Sequence, residues 1–330
     1  MDIFFANTEP SLRFHRSHER LNISIKVQMI GLGLLADEID RDCTTSELSE
    51  KLYRREGWLW GGMPDWSNPK KVVVAARRDI GQAGVVRAFS AFDLFMDETA
   101  ADLTRWSAFS GDSQWVCRAD AGEPDRAARF YQTISGTPAA VEFLWPVYRY
   151  FRFVRDCIVH RDGVASAAVE GASNDPQLAD ALTAWIDRTG DMTAPQIVPV
   201  QAGALIDLNH RHAISASSVL RLIVLDINRQ ALRLLGVQGL VYLAAHRTFL
   251  DEEPLDSAGS FRSMLHVLNW VLSDRYRVRG VSGVATSRVL RELGLMEECA
   301  QKYSQLRRIG KINHTVGALV RRRKAKSDRR

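Results

Sequence analysis

The sequence predicts an all-α protein, and three observations carry that prediction. Apolar residues recur at spacings of three and four almost throughout, whereas alternation with a period of two never persists. Several of these periodic stretches carry helix start and stop residues, such as Asp175-Pro176 before and Gly190 after one of them. The long stretches are similar in length and joined by loops, the pattern of an antiparallel helical bundle with helical additions at both ends.

Taken in order, the chain opens with a polar stretch and an apolar helix near Ile23 to Ile39. "TTSELSEKLYRREG" follows, with threonines as a start and Gly57 as a stop. "WLWGGMPDWSNP" reads as a loop by its glycines and prolines. Trp58, Trp60 and Trp66 in it suit packing onto their own domain, or stacking on bases. A long helix is expected from about Gly84 to Phe109, with Phe89, Phe92, Met96, Leu103 and Trp106 along one stripe and Gly111 as its stop.

A shorter helix is expected near Asp125 to Ile134. The next has Thr137 as N-cap, Pro138 as first helical residue and Gly163 as terminator, about 24 residues and about 36 Å long. Pro176 to Gly190 bounds a short helix, and Asn209 to Leu235, closed by Gly236, a long one. Three segments are expected: 1–70, a helical segment with the Trp-rich loop; 71–237, the bundle; 238–330, a basic helical segment with a tail.

At 330 residues the chain can bury a sizeable core without covalent staples. Its four cysteines, Cys43, Cys117, Cys157 and Cys299, form no Cys-x-x-Cys pair, which argues against a structural zinc or a disulfide framework. With no signal-like or membrane-spanning apolar run, the protein is expected to be cytoplasmic and to make no membrane contact. Charge is unevenly placed. Residues 275–330 hold 16 Lys and Arg against 4 Asp and Glu, a net of +12, while residues 1–274 carry a net of −7. An acidic body with a basic end, closing in "RRRKAKSDRR", suits contact with a polyanion or a solvated tail.

The stretch Tyr150 to Gly163, "YFRFVRDCIVHRDG", holds the chain's most informative residues. Leu144, Tyr148, Phe151, Arg155 and Ile158 fall at spacings of three and four, so Arg155 is expected to continue the apolar stripe. An arginine there must be paired, for instance with Asp93 or Asp97, or must face a partner or ligand. His160 lies five residues on, about 140° away around an ideal helix. One straight helix cannot aim both at one atom; a bend at the helix end could, and so could two copies meeting across a two-fold axis. The same Arg-x-x-x-x-His spacing also occurs at Arg13 and His18, so spacing alone decides nothing. A histidine in a last helical turn can simply complement the helix dipole.

"RDCIVHRDG" at the end of a long helix, after "VVRAFSAFDLFMDETAADL" and before "ALIDLNHRHAISASSVLRLIVLDI", resembles the HEPN superfamily (higher eukaryotes and prokaryotes nucleotide-binding domain). The resemblance covers about Lys71 to Val237. Its signature of arginine, polar residue, histidine and a glycine-containing turn corresponds here to Arg155, Asp156, His160 and Gly163. One branch, the toxins paired with a nucleotidyltransferase antitoxin, has a tyrosine two residues after the histidine; Asp162 stands there, so that branch is not assigned.

The resemblance implies a metal-independent endoribonuclease, with no cofactor, working as a homodimer on an RNA substrate in a toxin or defence setting, sometimes held by an antitoxin or other regulatory protein. The chemistry suits the residues. RNA brings its own nucleophile, the 2′-hydroxyl. Histidine, with an ordinary pKa of about 6.5, can carry its proton. Arginine can hold the charge that builds on phosphorus. The implied products are a 2′,3′-cyclic phosphate and a 5′-hydroxyl. Asp156 would orient Arg155 or His160, and Arg152 and Arg161 would contact phosphate.

Other constellations point elsewhere. His210 and His212, two apart, face opposite sides of a helix rather than one metal. Gly31 and Gly33 imitate part of a dinucleotide fingerprint but lack its strand-turn-helix setting. "VSGVATSRVLRELGLMEE" has the cadence of a helix-turn-helix inside the basic region, so the rival readings are a DNA-binding regulatory protein, with Arg288, Arg291 and the tail as its contacts, and a non-catalytic scaffold.

Overall fold

Residues 1–40, 47, 67–111, 125–134, 136, 138–190, 193–251 and 263–309 are described by the computed structural model, and in them the chain is all-α. Among the described residues the bounded α-helices run in the order α1 Glu9–Ile39, α2 Pro69–Ser110, α3 Arg126–Thr133, α4 Trp145–Arg161, α5 Ala167–Ser173, α6 Pro176–Thr189, α7 His210–Ala245, α8 Met264–Trp270, α9 Gly283–Glu292 and α10 Met296–Arg308. A 3-10 turn, Glu142–Leu144, precedes α4, and π-helical turns follow α7 and α8 at His246–Leu250 and Val271–Arg275. Extended pairing among the described residues is limited to two isolated bridges, Asp2 with Arg279 and Val164 with Leu205. The "TTSELSEKLYRREG" stretch apart from Glu47, the three loop tryptophans and the tail from 310 on lie outside the described residues.

Contacts group the chain into two units, each assembled from separated stretches. One is drawn from Met1–Leu12, Met96–Thr137 and Ile227–Arg330, the other from Arg13–Phe95 and Pro138–Asp226. The second holds the Arg155 motif. Its core is aromatic and aliphatic: Phe14, Ile25, Phe89 and Phe92 pack in it with Val147, Tyr148, Phe151, Val154, Leu220 and Ile223. Burying such side chains stabilises the fold by about 1.5–3 kcal/mol each. The Tyr148 ring lies 6.1 Å from those of Phe89 and Phe92.

Three helix starts differ from expectation. α1 begins at Glu9, fourteen residues before Ile23, because Phe14 and Leu21 are buried and extend its inward face toward the N-terminus. α2 begins at Pro69, fifteen residues before Gly84. Asn68 caps it, accepting the Lys71 N–H at 3.0 Å, and Pro69 takes the first turn, where a missing donor costs nothing. Gly81 and Gly84 lie inside α2 for a different reason. A Cβ on Gly84 would sit 2.5 Å from that of Ala213, and one on Gly81 2.7 Å from the Asn209 carbonyl oxygen, so both glycines admit the start of α7.

α4 begins at Trp145 instead of Pro138. The intervening chain is a turn closed by the Val141 N–H to the Pro138 carbonyl at 2.7 Å, then the 3-10 turn, and Pro146 serves the first helical turn. The expected cap Thr137 is outside the described residues. α4 is therefore 17 residues long, about 26 Å. α6 matches its reading: the Asp175 carboxylate accepts the Gln177 N–H at 2.9 Å and Gly190 closes it in the left-handed region. Gly236, expected to end α7, kinks it at φ 59 and ψ −170, after which the helix resumes.

Candidate functional site

α4 buries Val147, Tyr148, Tyr150, Phe151, Val154 and Cys157. Arg155 and Ile158 are only half-buried, so the expected stripe is rotated by about one position, and the arginine borders the seam. Tyr150 anchors the helix. Its hydroxyl donates to the Val198 carbonyl and accepts the Val198 N–H, both at 3.2 Å, and burial pushes its pKa up to about 12.

Arg155 is held between two carboxylates. Its Nη1 donates to Asp156 Oδ1 at 2.9 Å, and Nη2 lies 3.9 Å from Asp93 Oδ2 of α2, while Nε has no hydrogen-bond acceptor among the described residues. Asp97, the other acid weighed from the sequence, instead accepts from Arg126 at 3.1 Å. Arg152 places its guanidinium over the Phe153 ring, 4.7 Å from the centroid.

His160 and Arg161 form the last turn and are exposed. No hydrogen bond or ion pair engages the His160 ring among the described residues. The helix stays regular through Arg161, so no bend turns His160 toward Arg155 within one chain; the two remain about 140° apart. Termination is firmly built. Asp162 takes a left-handed conformation at φ 51, Gly163 follows at φ 76, and the Gly163 N–H reaches back to the Cys157 carbonyl at 3.1 Å. The Gly163 carbonyl then accepts the Ile206 N–H at 2.9 Å, tying the turn to the strand-like stretch before α7. A Cβ on Gly163 would meet Gln82 Nε2 at 2.8 Å.

The second Arg-x-x-x-x-His spacing has a different environment. His18 Nδ1 lies 2.7 Å from Ser217 Oγ and its Nε2 lies 3.2 Å from Asn22 Nδ2, so both ring nitrogens are occupied. Burial, then the Arg221 and His15 charges, bring its pKa down to about 4. His212 is likewise internal, accepting the Asn209 N–H on Nδ1 at 3.0 Å, and burial lowers its pKa to about 4. Neither histidine of the His210–His212 pair joins a metal-binding cluster, and among the described residues no such group of three or more ligands occurs. Gly31 and Gly33 lie within α1, not in a phosphate loop.

The other unit holds a polar cluster that no sequence signal announced. Arg275 grips Glu9 with Nε at 2.7 Å and Nη2 at 2.5 Å, and Arg247 Nη2 donates to Asp102 at 2.6 Å. Each arginine sits in one of the π-helical turns. The Tyr276 hydroxyl, buried and without a hydrogen-bond partner among the described residues, titrates above its ordinary range because of burial and then the Glu9 charge. The acids are buried, so this cluster is an internal brace rather than an open site. In the same unit α9 and α10 are joined through Gly294 in the left-handed region, and Arg288 and Arg291 are exposed. The first turn of α10 carries Glu297 and Glu298, which would repel a phosphate backbone.

In comparisons with known proteins, no family model, no curated protein and no solved structure matches this chain.

Proposed function

We propose that the chain is a metal-independent endoribonuclease of the HEPN type. Arg155 supplies the cation facing phosphate, His160 carries the proton, and Asp156 orients the arginine. One contrast supports this reading best. Of the two Arg-x-x-x-x-His spacings, His18 has both ring nitrogens tied up, whereas His160 stands exposed in a last helical turn, five residues after an arginine steadied by carboxylates. A histidine that serves only packing has no need of that exposure.

The reaction would begin with loss of the 2′-hydroxyl proton to an imidazole and attack of that oxygen on the adjacent phosphorus. The P–O5′ bond breaks, leaving a cyclic phosphate and a 5′-hydroxyl, while a guanidinium compensates the charge gathering on the phosphoryl oxygens. Because α4 is straight through Arg161, Arg155 of one copy and His160 of another are the pair that could share a phosphate. Arg152 and Arg161, on the same helix, would contact the RNA backbone.

The test is cleavage of end-labelled RNA in EDTA by wild type, Arg155→Ala and His160→Ala, with circular dichroism on all three. Cyclic-phosphate ends made by wild type alone are the expected result. Equal cutting by both variants would remove the reading. The exposed Arg288 and Arg291 favour a second reading, polynucleotide binding by α9; it predicts that binding is indifferent to Arg155 and His160 but falls in Arg288→Ala/Arg291→Ala.

A further inference from the structure

The distal half of α1 carries an apolar face with no described residue of its own chain buried against it. Ile25 is the last buried residue of the helix; from Lys26 to Asp40 none is buried. Ile23, Val27, Ile30 and Leu34 are 62, 62, 64 and 64% exposed. Their spacing of four, three and four keeps them on one stripe, the seam pattern of a helix that pairs with another helix. Gly31 and Gly33 flank this stripe, and a Cβ on either would meet nothing within 4 Å. Glycine costs about 1 kcal/mol against alanine in a helix, and no close approach among the described residues calls for it here.

The stripe is self-complementary when reversed. Extending it by three residues at each end gives Arg20, Ile23, Val27, Ile30, Leu34 and Asp37, with spacings that read the same from either end. An antiparallel pair with its two-fold axis between Val27 and Ile30 sets Ile23 against the partner's Leu34 and Val27 against the partner's Ile30. It also sets Arg20 against the partner's Asp37, twice by symmetry. Both charged residues are exposed, and neither has an ion-pair partner among the described residues. At the flanks, Ser24 and Lys26 would lie over the partner's Gly31 and the partner's Gly33, where the missing side chains leave room. The one like-charged meeting, Glu19 with the partner's Asp40, is softened because Asp40 already binds Lys70 at 2.8 Å.

We infer that α1 is a self-association surface through which two copies of this chain pair antiparallel along Arg20 to Asp37. The face is about 27 Å long and one helix wide, less than the roughly 800 Å² per partner of a standard interface. The dimer is therefore reversible, forming in the micromolar range. It stands whether or not the chain cuts RNA.

The experiment is sedimentation velocity of the full chain from about 1 to 100 μM, with circular dichroism to check that each variant is folded; all the substituted residues are exposed. Wild type is expected to dimerise and Ile30→Glu to remain monomeric throughout. Arg20→Asp and Asp37→Arg should each weaken pairing roughly tenfold, because each replaces two attractive contacts with repulsive ones. The double variant Arg20→Asp/Asp37→Arg restores the charges in reversed order and should pair within about threefold of wild type. A wild type monomeric at the highest concentration would assign the face to another protein and overturn the inference. So would an Ile30→Glu chain that still dimerises, or a double variant no better than the singles.

Discussion

Arg155 and Asp156, adjacent in sequence, are joined by a 2.9 Å hydrogen bond, and Asp93 closes on the same guanidinium from α2 at 3.9 Å. The arginine is thus aimed from two sides before any substrate arrives. If it serves the phosphate as proposed, Asp156→Ala should lower the single-turnover cleavage rate by about 10- to 100-fold through lost orientation. Asp93→Asn, which removes a longer contact, should cost less. Binding of uncut RNA should change little in either, and a filter-binding titration run beside the rate measurement checks that split.

The Glu9–Arg275 pair should dominate the stability of its unit. Removing one partner of a buried pair strands the other charge, at a cost of about 3–5 kcal/mol. Glu9→Ala is expected to lose that much in urea unfolding. Glu9→Met/Arg275→Met should recover a large part of it, since no isolated charge remains.

Gly84→Ala should destabilise by roughly 1–3 kcal/mol, because the added methyl enters the crossing with Ala213. Gly171→Ala, in α5 with open space around it, should instead stabilise by about 0.5–1 kcal/mol. Thermal melts of the two variants should move in opposite directions.

Acid should weaken the unit that holds α4. His18 and His212 are held near pKa 4 when folded, below the roughly 6.5 of an unfolded histidine, so protons bind the unfolded chain first. Their contribution is complete above pH 6.5, declines as pH falls below it, and is gone once pH passes through about 4. Urea midpoints between pH 7 and 4.5 should show that slope, and His18→Gln should flatten it.

What the sequence could disclose was mostly local. The caps of α6 act within a few residues of themselves, so Asp175, Pro176 and Gly190 announce that helix and its ends. Glycine was the ambiguous letter. At Gly190 it ends a helix, whereas at Gly84 it lets one helix touch another, and only the neighbour, 129 residues away, distinguishes the cases. Spacing alone sets the seam of α4 one step off around the helix, because Arg155 and Ile158 fit it almost as well as Val154 and Cys157. His160 and Arg155 could be singled out as residues, yet the freedom of one histidine and the confinement of His18 depend on Ser217, far along the chain. The Arg247–Asp102 brace, with partners 145 residues apart, had no local trace at all.

That distance has a cost in time as the chain is made. Arg275 emerges 266 residues after Glu9; at about 5–20 residues per second, the glutamate waits roughly 13 to 53 s for its partner. For most of that interval the first twelve residues have only the Met96–Thr137 stretch of their unit available, since the residues from Ile227 on, Asn228 and Arg275 among them, are still unsynthesised. The Arg13–Phe95 and Pro138–Asp226 stretches are complete much earlier. The unit carrying Arg155 and His160 can therefore settle first, with its partner unit closing only when the last helices leave the ribosome.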